Sequence, residues 1–246
     1  MKLRILLSLL SLLAFSQQLN AQLYTFQKFG HQDGLKITTT LTTTQDDLGH
    51  LLIGTDGNGI VRYNGTAFES LHGPKGLDRP YHVTGISIVN GEIYFSTLYA
   101  GILNYYNNGI HSFYKINPNI DGSALRIGKC QNKLAIITNN SIIVTDLNGK
   151  LLLKKPYLSR YINKCVQLLE TPYGSILISD KGSYFISATE IMTLSKWLNS
   201  PKVNFKMASY YQKKLVLFDE KGQNKYTYYF SNNGSVFRQT REGNRI

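Results

Sequence analysis

One short pattern recurs along the 246-residue chain at a nearly constant interval. Apolar runs end in a small or hydroxyl residue at Thr55, Thr97, Thr138 and Ser179, and a weaker copy ends at Phe218. The steps between these positions are 42, 41, 41 and 39 residues. A repeat of about 20–50 residues indicates a solenoid or a propeller, because each copy buries its apolar faces only against its neighbours.

Each period has room for four short strands separated by turns rich in glycine, asparagine and aspartate. Asn-Gly pairs at positions 64–65, 108–109, 148–149 and 233–234 predict two-residue hairpin turns, in which both residues take positive φ angles. The strands expected in the first two copies are residues 38–44, 51–55, 60–63 and 66–71, then 83–89, 92–97, 101–105 and 110–114. Such repeats predict an all-β fold, a β-propeller of about five four-stranded blades. A β-sandwich is the rival, but it gives no reason to reuse one turn type at a fixed interval.

The first 21 residues have the pattern of a secretory signal peptide. Lys2 and Arg4 precede an apolar stretch over residues 5–15, and Ala21 is a small residue at the cleavage position. The stretch is shorter than the roughly 20 residues that span a membrane. We therefore expect a signal peptide at 1–21, a β-propeller at 22–246, no membrane span in the mature chain, and a periplasmic or secreted location. The blades are expected at residues 36–72, 80–115, 123–155, 164–192 and 203–238.

The composition is basic, with 27 Lys and Arg against 15 Asp and Glu and a net charge of +12. A basic surface is compatible with nucleic acid, anionic lipid or an acidic glycan as partner. Because the leader indicates export and the basic residues are spread along the chain, we expect no nucleic-acid partner and an ordinary solvated surface. A weak preference for acidic polysaccharide stays open.

The first copy also carries a set of short motifs, which are Gln32-Asp33-Gly34-Leu35, Gln45-Asp46-Asp47-Leu48-Gly49, Ile53-Gly54-Thr55, Gly57-Asn58-Gly59-Ile60 and Tyr63-Asn64-Gly65. This set resembles the two-component regulator propeller repeats, whose blades combine an Asp-x-x-Gly turn, a Trp-(Ile/Val)-Gly-Thr strand, a Gly-Gly-Leu turn and a Tyr-Asp-Gly hairpin. Leu52 stands where that family usually has Trp, and the second copy keeps Thr97, Gly101-Ile102 and Tyr105. The later copies keep only the spacing.

The resemblance implies the periplasmic N-terminal sensor region of a hybrid sensor histidine kinase from a Gram-negative bacterium. Such propellers usually respond to polysaccharide fragments, so the resemblance implies a glycan ligand, or a protein partner such as a sensor kinase. Family sensors use many more blades than five. Residues 24–29 look like a fourth strand that would complete the last blade, but that blade already has a candidate at 235–238. We therefore expect an incomplete or irregularly closed ring.

A ligand site is expected on the loops of one face. If the first strand of each blade is innermost, the turns between strands two and three share a face with the links between blades. Loops on a rigid scaffold commonly bind ligands, aromatic rings give stacking platforms, and Arg and Asp hydrogen-bond hydroxyls or carboxylates. The predicted ligand-binding residues are Asp56, Tyr81, His82, Tyr99 and Arg160.

Signals for catalysis and cofactors are poor. The five His have no metal-ligand spacing, and the expected innermost strands at 38–44, 83–89 and 125–128 contain no Asp or Glu for a glycosidase. We therefore predict no catalytic residue, no metal site and no cofactor, and an exported non-catalytic sensor-type propeller. The alternatives are a secreted carbohydrate-active enzyme on a propeller scaffold and a truncated fragment of a larger sensor kinase.

The two cysteines are expected to be free thiols. Cys130 ends one expected inner strand and Cys165 begins the next. Neighbouring inner strands run parallel, so the two residues lie roughly 20 Å apart along the axis, which exceeds the reach of a disulfide of about 7 Å between Cα atoms.

Overall fold

The computed structural model describes residues 27–71, 81–106, 108–157, 165–200, 204–219, 224–231 and 235–243. The predicted signal peptide and residues 24–26 of the expected extra strand lie outside these ranges. The described chain forms five sheets, and each consists of four consecutive strands that pair antiparallel in chain order. Three short helices accompany the sheets: a 3₁₀ helix (His31–Asp33), α1 (Pro118–Asp121) and α2 (Leu194–Trp197).

The twenty strands have the following bounds. The first two sheets contain β1 (Thr40–Gln45), β2 (Leu51–Thr55), β3 (Ile60–Tyr63) and β4 (Phe68–Ser70), then β5 (Val83–Val89), β6 (Glu92–Thr97), β7 (Gly101–Tyr106) and β8 (Gly109–Tyr114). The third sheet contains β9 (Ala124–Cys130), β10 (Lys133–Thr138), β11 (Ser141–Thr145) and β12 (Leu151–Pro156). The last two contain β13 (Cys165–Thr171), β14 (Gly174–Ser179), β15 (Gly182–Ile186) and β16 (Ile191–Thr193), then β17 (Phe205–Tyr211), β18 (Lys214–Asp219), β19 (Asn224–Phe230) and β20 (Val236–Gly243).

The sheets follow one another as the blades of a propeller. Their first strands form the inner wall, because β1 contacts β5, β5 contacts β9, β9 contacts β13, and β13 contacts β17. A separate apolar core fills each space between neighbouring sheets. Strand β10 shows why the second strands are apolar without interruption: Leu134 and Ile136 pack toward the second sheet, while Ala135 and Ile137 pack toward the fourth. The predicted all-β propeller fold of five four-stranded blades is confirmed.

The recurring hydroxyl at the end of the second strand closes the turn to the third strand. The Thr97 hydroxyl donates to the Gly101 carbonyl at 3.0 Å and accepts from the Ala100 amide at 3.0 Å. Thr55 makes the same pair of bonds, to Gly59 and from Asn58. Thr138 and Ser179 likewise donate to carbonyl groups at the start of the third strand. In four of the five copies, the repeat seen in the sequence is therefore a turn closed by one hydroxyl.

Two of the predicted two-residue Asn-Gly hairpins are longer loops. In the first sheet the Asn64 side chain accepts hydrogen bonds from the amides of Thr66 and Ala67, and only Gly65 has a positive φ. In the third sheet Asp146 accepts from the Lys150 amide, which places Asn148 inside a loop of five residues. The pair at 233–234 lies outside the described residues. Two-residue turns with two positive φ angles are found between β5 and β6, at Asn90 and Gly91, and between β17 and β18, at Gln212 and Lys213.

The segment before β1 covers part of the first sheet instead of completing the fifth. Residues 27–30 are not in a strand, and the Phe29 ring lies 5.0 Å from that of Tyr63 and 5.3 Å from that of Phe68. Leu35 packs against Ile53 and Val61 in a small core of its own. The fifth sheet has its own fourth strand, β20, as expected, and the leftover strand expected at residues 24–29 is not a strand in the part described, residues 27–29.

The ring is incomplete. Every residue of β1 is exposed or half-buried, whereas β5 is buried at six of its seven positions because it has inner strands on both sides. Among the described residues, β17 and β1 do not make the set of contacts that joins the other neighbouring inner strands. The first and fifth sheets each therefore have one face that no other blade covers.

Candidate functional site

The propeller has two faces with different loops. On the upper face lie the turns between the second and third strands and the links between sheets. On the lower face lie the turns between the first and second strands. This assignment follows from the antiparallel order of each sheet and the parallel course of the inner strands.

Three of the five predicted ligand-binding residues meet on the upper face. Asp56 and His82 form an isolated antiparallel bridge, and the His82 Nδ1 atom pairs with Asp56 Oδ1. The Tyr99 ring stands edge-on to the His82 ring, with the centroids 5.8 Å apart, and Tyr99 is 82% exposed. We call these three residues the upper cluster; they come from the first and second sheets.

The other two predicted residues do not join the upper cluster as binding side chains. Tyr81 is 8% exposed and its ring packs in the core between the first two sheets, so it offers no stacking platform. Its carbonyl accepts hydrogen bonds from the amides of Gly57 and Gly59, at 3.3 and 3.1 Å. Sequence reasoning overlooked that a residue two positions before an inner strand can be buried in a core between blades. Arg160 lies outside the described residues.

A polar cavity lies on the axis and opens toward the lower face. This axial cavity has a volume of about 480 Å³. It is lined by the inner strands of the first four sheets and by two lower turns: residues 42–45, 47, 85–88, 90–91, 126–127, 129, 167–168 and 170. Pockets where a few polar groups converge on a rigid scaffold are the usual place for small ligands. Sequence reasoning had placed the site on the opposite face.

Glu170 connects three inner strands at the cavity. Its Oε1 atom accepts from the Ser87 hydroxyl of β5 at 2.9 Å and from the Lys129 amide of β9 at 2.6 Å. Within the described residues, Glu170 Oε2 and Lys129 Nζ have no hydrogen-bond partner, so both remain available to a ligand.

A second layer of side chains clamps the inner strands closer to the upper face. Arg126 of β9 donates to the Thr84 carbonyl of β5. The Gln167 amide group of β13 donates to and accepts from the backbone of Ala208 in β17, both at 2.8 Å. The inner strands around the cavity are therefore joined by hydrogen bonds between copies.

The axial residues were missed because the sequence reasoning examined acidic residues in only three inner strands. A signal was nevertheless present: Ser87, Lys129 and Glu170 are 42 and 41 residues apart, which is the repeat interval. Arg126, Gln167 and Ala208 are 41 and 41 residues apart. Equivalent positions in successive copies lie at one height on the axis. Grouping residues that are one repeat interval apart would therefore have brought the members of each layer together from the sequence alone.

The groups in the axial cavity suit a small polar ligand. Thr42, Thr44, Ser87, Lys129 and Glu170 all line the cavity, so its wall offers hydroxyl, ammonium and carboxylate groups. In the part of the chain that the structure describes, no three His, Cys, Asp or Glu side chains cluster as metal ligands. No helix among the described residues is long and apolar enough to cross a membrane.

Comparison with known proteins identifies the fold. No protein-family model and no curated protein matches the chain. Among solved structures, the extracellular domain of the hybrid two-component system BT3049 from B. thetaiotaomicron is 15% identical, with a TM-score of 0.57 over 90% of this chain and 30% of that chain. An ancestral GH74 enzyme is 12% identical, with a TM-score of 0.52 over 83% of this chain and 32% of that one. The β-propeller domain of Myceliophteria thermophila Cps50 (Swd1) is 8% identical, with a TM-score of 0.51 over 82% of this chain and 72% of that one.

These likenesses concern the fold, because every identity is 15% or lower. The chain spans less than a third of the length of the two-component domain and of the GH74 enzyme. The chain therefore has the β-propeller fold, and one of the structures most similar to it is an extracellular domain of a two-component system, the class of protein that its first repeat resembles.

Proposed function

We propose that this chain is an exported, non-catalytic sensor-type β-propeller of a two-component signalling system, and that it binds a polysaccharide fragment in the axial cavity. The observation that carries the proposal is the polar cavity of about 480 Å³ on the axis, with an available carboxylate oxygen and an available ammonium group on its wall. A sugar unit presents hydroxyls that both donate and accept, which matches such a wall.

The rigid wall supports recognition of a defined ligand. Arg126 joins β9 to β5 and Gln167 joins β13 to β17 by bonds to backbone atoms, so ordering the site costs little when the ligand binds. The upper cluster of Asp56, His82 and Tyr99 is proposed as a second contact, for a partner protein or for a longer glycan. Its exposed Tyr99 ring offers an apolar surface and a polar tip at the upper surface.

The experiment is a glycan-array screen of the purified full chain, followed by calorimetric titration of each oligosaccharide that binds. We expect micromolar binding that falls at least about tenfold in Glu170→Gln, since a neutral amide weakens a charge-assisted bond by about 1.4 kcal/mol or more. The matched control is Glu190→Gln, an exposed carboxylate in the turn between β15 and β16.

The outcomes separate the two regions. Loss of binding in Glu170→Gln but not in Tyr99→Ala assigns the ligand to the axial cavity. The opposite result moves the site to the upper cluster. If no oligosaccharide binds, or if both variants bind like Glu190→Gln, the proposed ligand class or both sites are wrong.

A carbohydrate-active enzyme is the second candidate, because Glu170 places a carboxylate in the cavity and a GH74 enzyme has a similar fold. Glycosidases commonly use two carboxylates, and Asp47 also lines the cavity. Incubation of bound oligosaccharides with the chain distinguishes the candidates. Release of reducing ends that Glu170→Gln abolishes supports the enzyme, whereas intact oligosaccharides recovered after binding support the sensor.

A further inference from the structure

A second cavity adjoins the axial cavity on the lower face. It has a volume of about 480 Å³ and lies between the lower turns of the third and fourth sheets. We call it the lateral groove, and it is lined by Lys129, Gln131, Asn132, Glu170, Thr171 and Pro172. Because Lys129 and Glu170 line both the groove and the axial cavity, the two spaces meet at this pair of side chains.

The boundary between the two spaces is held by hydrogen bonds between the third and fourth sheets. The Lys129 amide donates to Glu170 Oε1 at 2.6 Å, and the Lys129 carbonyl accepts from the Ser175 hydroxyl at 2.6 Å. Both bonds use main-chain atoms of Lys129, so neither occupies its ammonium group. The backbone is therefore fixed where the groove begins, while the charged end of the side chain stays available.

The groove presents polar groups that the protein itself does not use. Asn132 is exposed in the two-residue turn between β9 and β10, and among the described residues its side chain has no hydrogen-bond partner. A side-chain amide offers two donors and an acceptor. Glu170 Oε2 and Lys129 Nζ are also available at the boundary. A ligand that extends out of the axial cavity therefore meets further donors and acceptors in the groove.

The charges that line the two spaces cancel, although the whole chain has a net charge of +12. Asp47 and Glu170 line the axial cavity together with Arg126 and Lys129, and the described residues of the groove add no further charged group. An anionic unit placed at Lys129 also meets the Glu170 carboxylate, which repels it. A sugar hydroxyl both donates and accepts, so a neutral unit can bond to both side chains.

Resting on the proposed function above, we propose that the ligand is a neutral disaccharide or longer oligosaccharide, with one unit in the axial cavity, the next in the lateral groove, and the linkage beside Lys129 and Glu170. Each space alone has room for a sugar ring, because sites of roughly 300–1,000 Å³ hold whole drug-sized ligands. A monosaccharide fills only one of the two spaces and leaves the polar groups of the other in water.

The test titrates the purified full chain by calorimetry with three sets of saccharides. They are glucose, galactose and mannose, the neutral disaccharides built from them, and the same disaccharides with one unit oxidised to the uronic acid. We expect one disaccharide per chain, bound at least about tenfold more tightly than the hexose. The uronic acid form should bind at least about threefold more weakly than the neutral disaccharide. Affinity for the neutral disaccharide should change less than about twofold between low and high ionic strength, because an uncharged ligand is not screened by salt.

Asn132→Ala tests the groove separately from the axial cavity. It should weaken disaccharide binding about three- to tenfold, the effect of one hydrogen bond, and leave hexose binding in the axial cavity unchanged. The matched control is Asn148→Ala, an exposed asparagine in the loop between β11 and β12 that lines neither space. Gln131→Ala is a second groove variant with the same expected result, and circular dichroism melting confirms that each variant is folded.

Different results would overturn different statements. If the hexose binds as tightly as the disaccharide, or if both groove variants bind like Asn148→Ala, the groove is not part of the site. If the uronic acid form binds more tightly and loses affinity in high salt, the ligand is acidic and the neutral class is wrong. If no saccharide of the three sets binds, this inference is wrong as well. A ligand found by the wider glycan array then keeps the proposed function, whereas an array without any ligand overturns both.

Discussion

Replacing Thr97 by valine tests whether the hydroxyl that recurs in four of the five blades stabilises the turn that it closes. Thr97 is 1% exposed, and its hydroxyl makes two hydrogen bonds of 3.0 Å, to the Gly101 carbonyl and from the Ala100 amide. Valine has nearly the same shape, so the packing is kept while both bonds are lost. Leaving buried backbone groups without partners costs about 1–3 kcal/mol each. Because Ala100 is half-buried and water reaches it, we expect a total loss of about 2–4 kcal/mol.

The measurement is thermal and urea unfolding followed by circular dichroism. A domain of this size loses about 2–4 °C in Tm for each kcal/mol, so Thr97→Val should melt roughly 5–15 °C lower. Thr97→Ser is the matched control, because it removes a methyl group and keeps the hydroxyl. The reasoning fails if Thr97→Val melts within about 2 °C of the wild-type chain, or if the serine variant is the less stable of the two.

Three further predictions concern the axis, the buried thiol and the buried ion pair. An added Cβ at Gly85 would lie 2.9 Å from the Ile127 amide nitrogen of the next inner strand. Gly85→Ala should therefore lower the free energy of unfolding by about 1–3 kcal/mol. Gly30→Ala is the control, because an added Cβ there meets no atom within 4 Å, and it should leave urea unfolding unchanged. Burial raises the pKa of the free Cys130 thiol from 9.0 to about 11, so the folded chain keeps a proton that the unfolded chain releases. The free energy of unfolding should therefore fall as the pH rises from 9 to 11. In unfolding measurements at pH 8–11, Cys130→Ala should show less of that fall. The Asp121 side chain is 5% exposed and is paired with Lys154 at 2.6 Å. Lys154→Met should therefore lower the free energy of unfolding by about 3–5 kcal/mol. The double variant that also carries Asp121→Asn should recover part of that loss in urea unfolding.

Most strands could be predicted because their signals are local. The bounds of β2, β3, β5 and β6 are those expected from apolar runs and turn residues. The first strand was placed two residues early, because residues 38 and 39 are threonines like those of β1 and offer no boundary. The turn chemistry was harder: Asn64 acts through its side chain rather than through a positive φ, and composition does not distinguish the two.

The free thiol expected at Cys130 is present, and its sulfur donates to the Ile186 carbonyl at 3.1 Å. The Cys165 side chain lies outside the description of the structure, so the prediction for that residue stays a prediction. The burial of Tyr81 could not be predicted from sequence, because the residue lies in a link between sheets. Its environment is set by Leu52 and Phe95, which belong to strands of two different blades.

The repeat interval nevertheless contains more information about the site than the loops do. Ser87, Lys129 and Glu170 occupy the same position in three successive copies, yet they are a hydroxyl, an ammonium and a carboxylate. A repeat kept only for packing has no need of three different polar groups at one height on its axis, since the apolar cores between the blades already hold the sheets together. A ligand on the axis would meet a different group from each blade, and this asymmetry can select one orientation of a sugar ring. In this chain the hydroxyl turns stay nearly constant, whereas the polar residue at this one repeat position differs between copies. Such a difference is therefore the sequence signature by which an axial binding site in such a propeller can be sought.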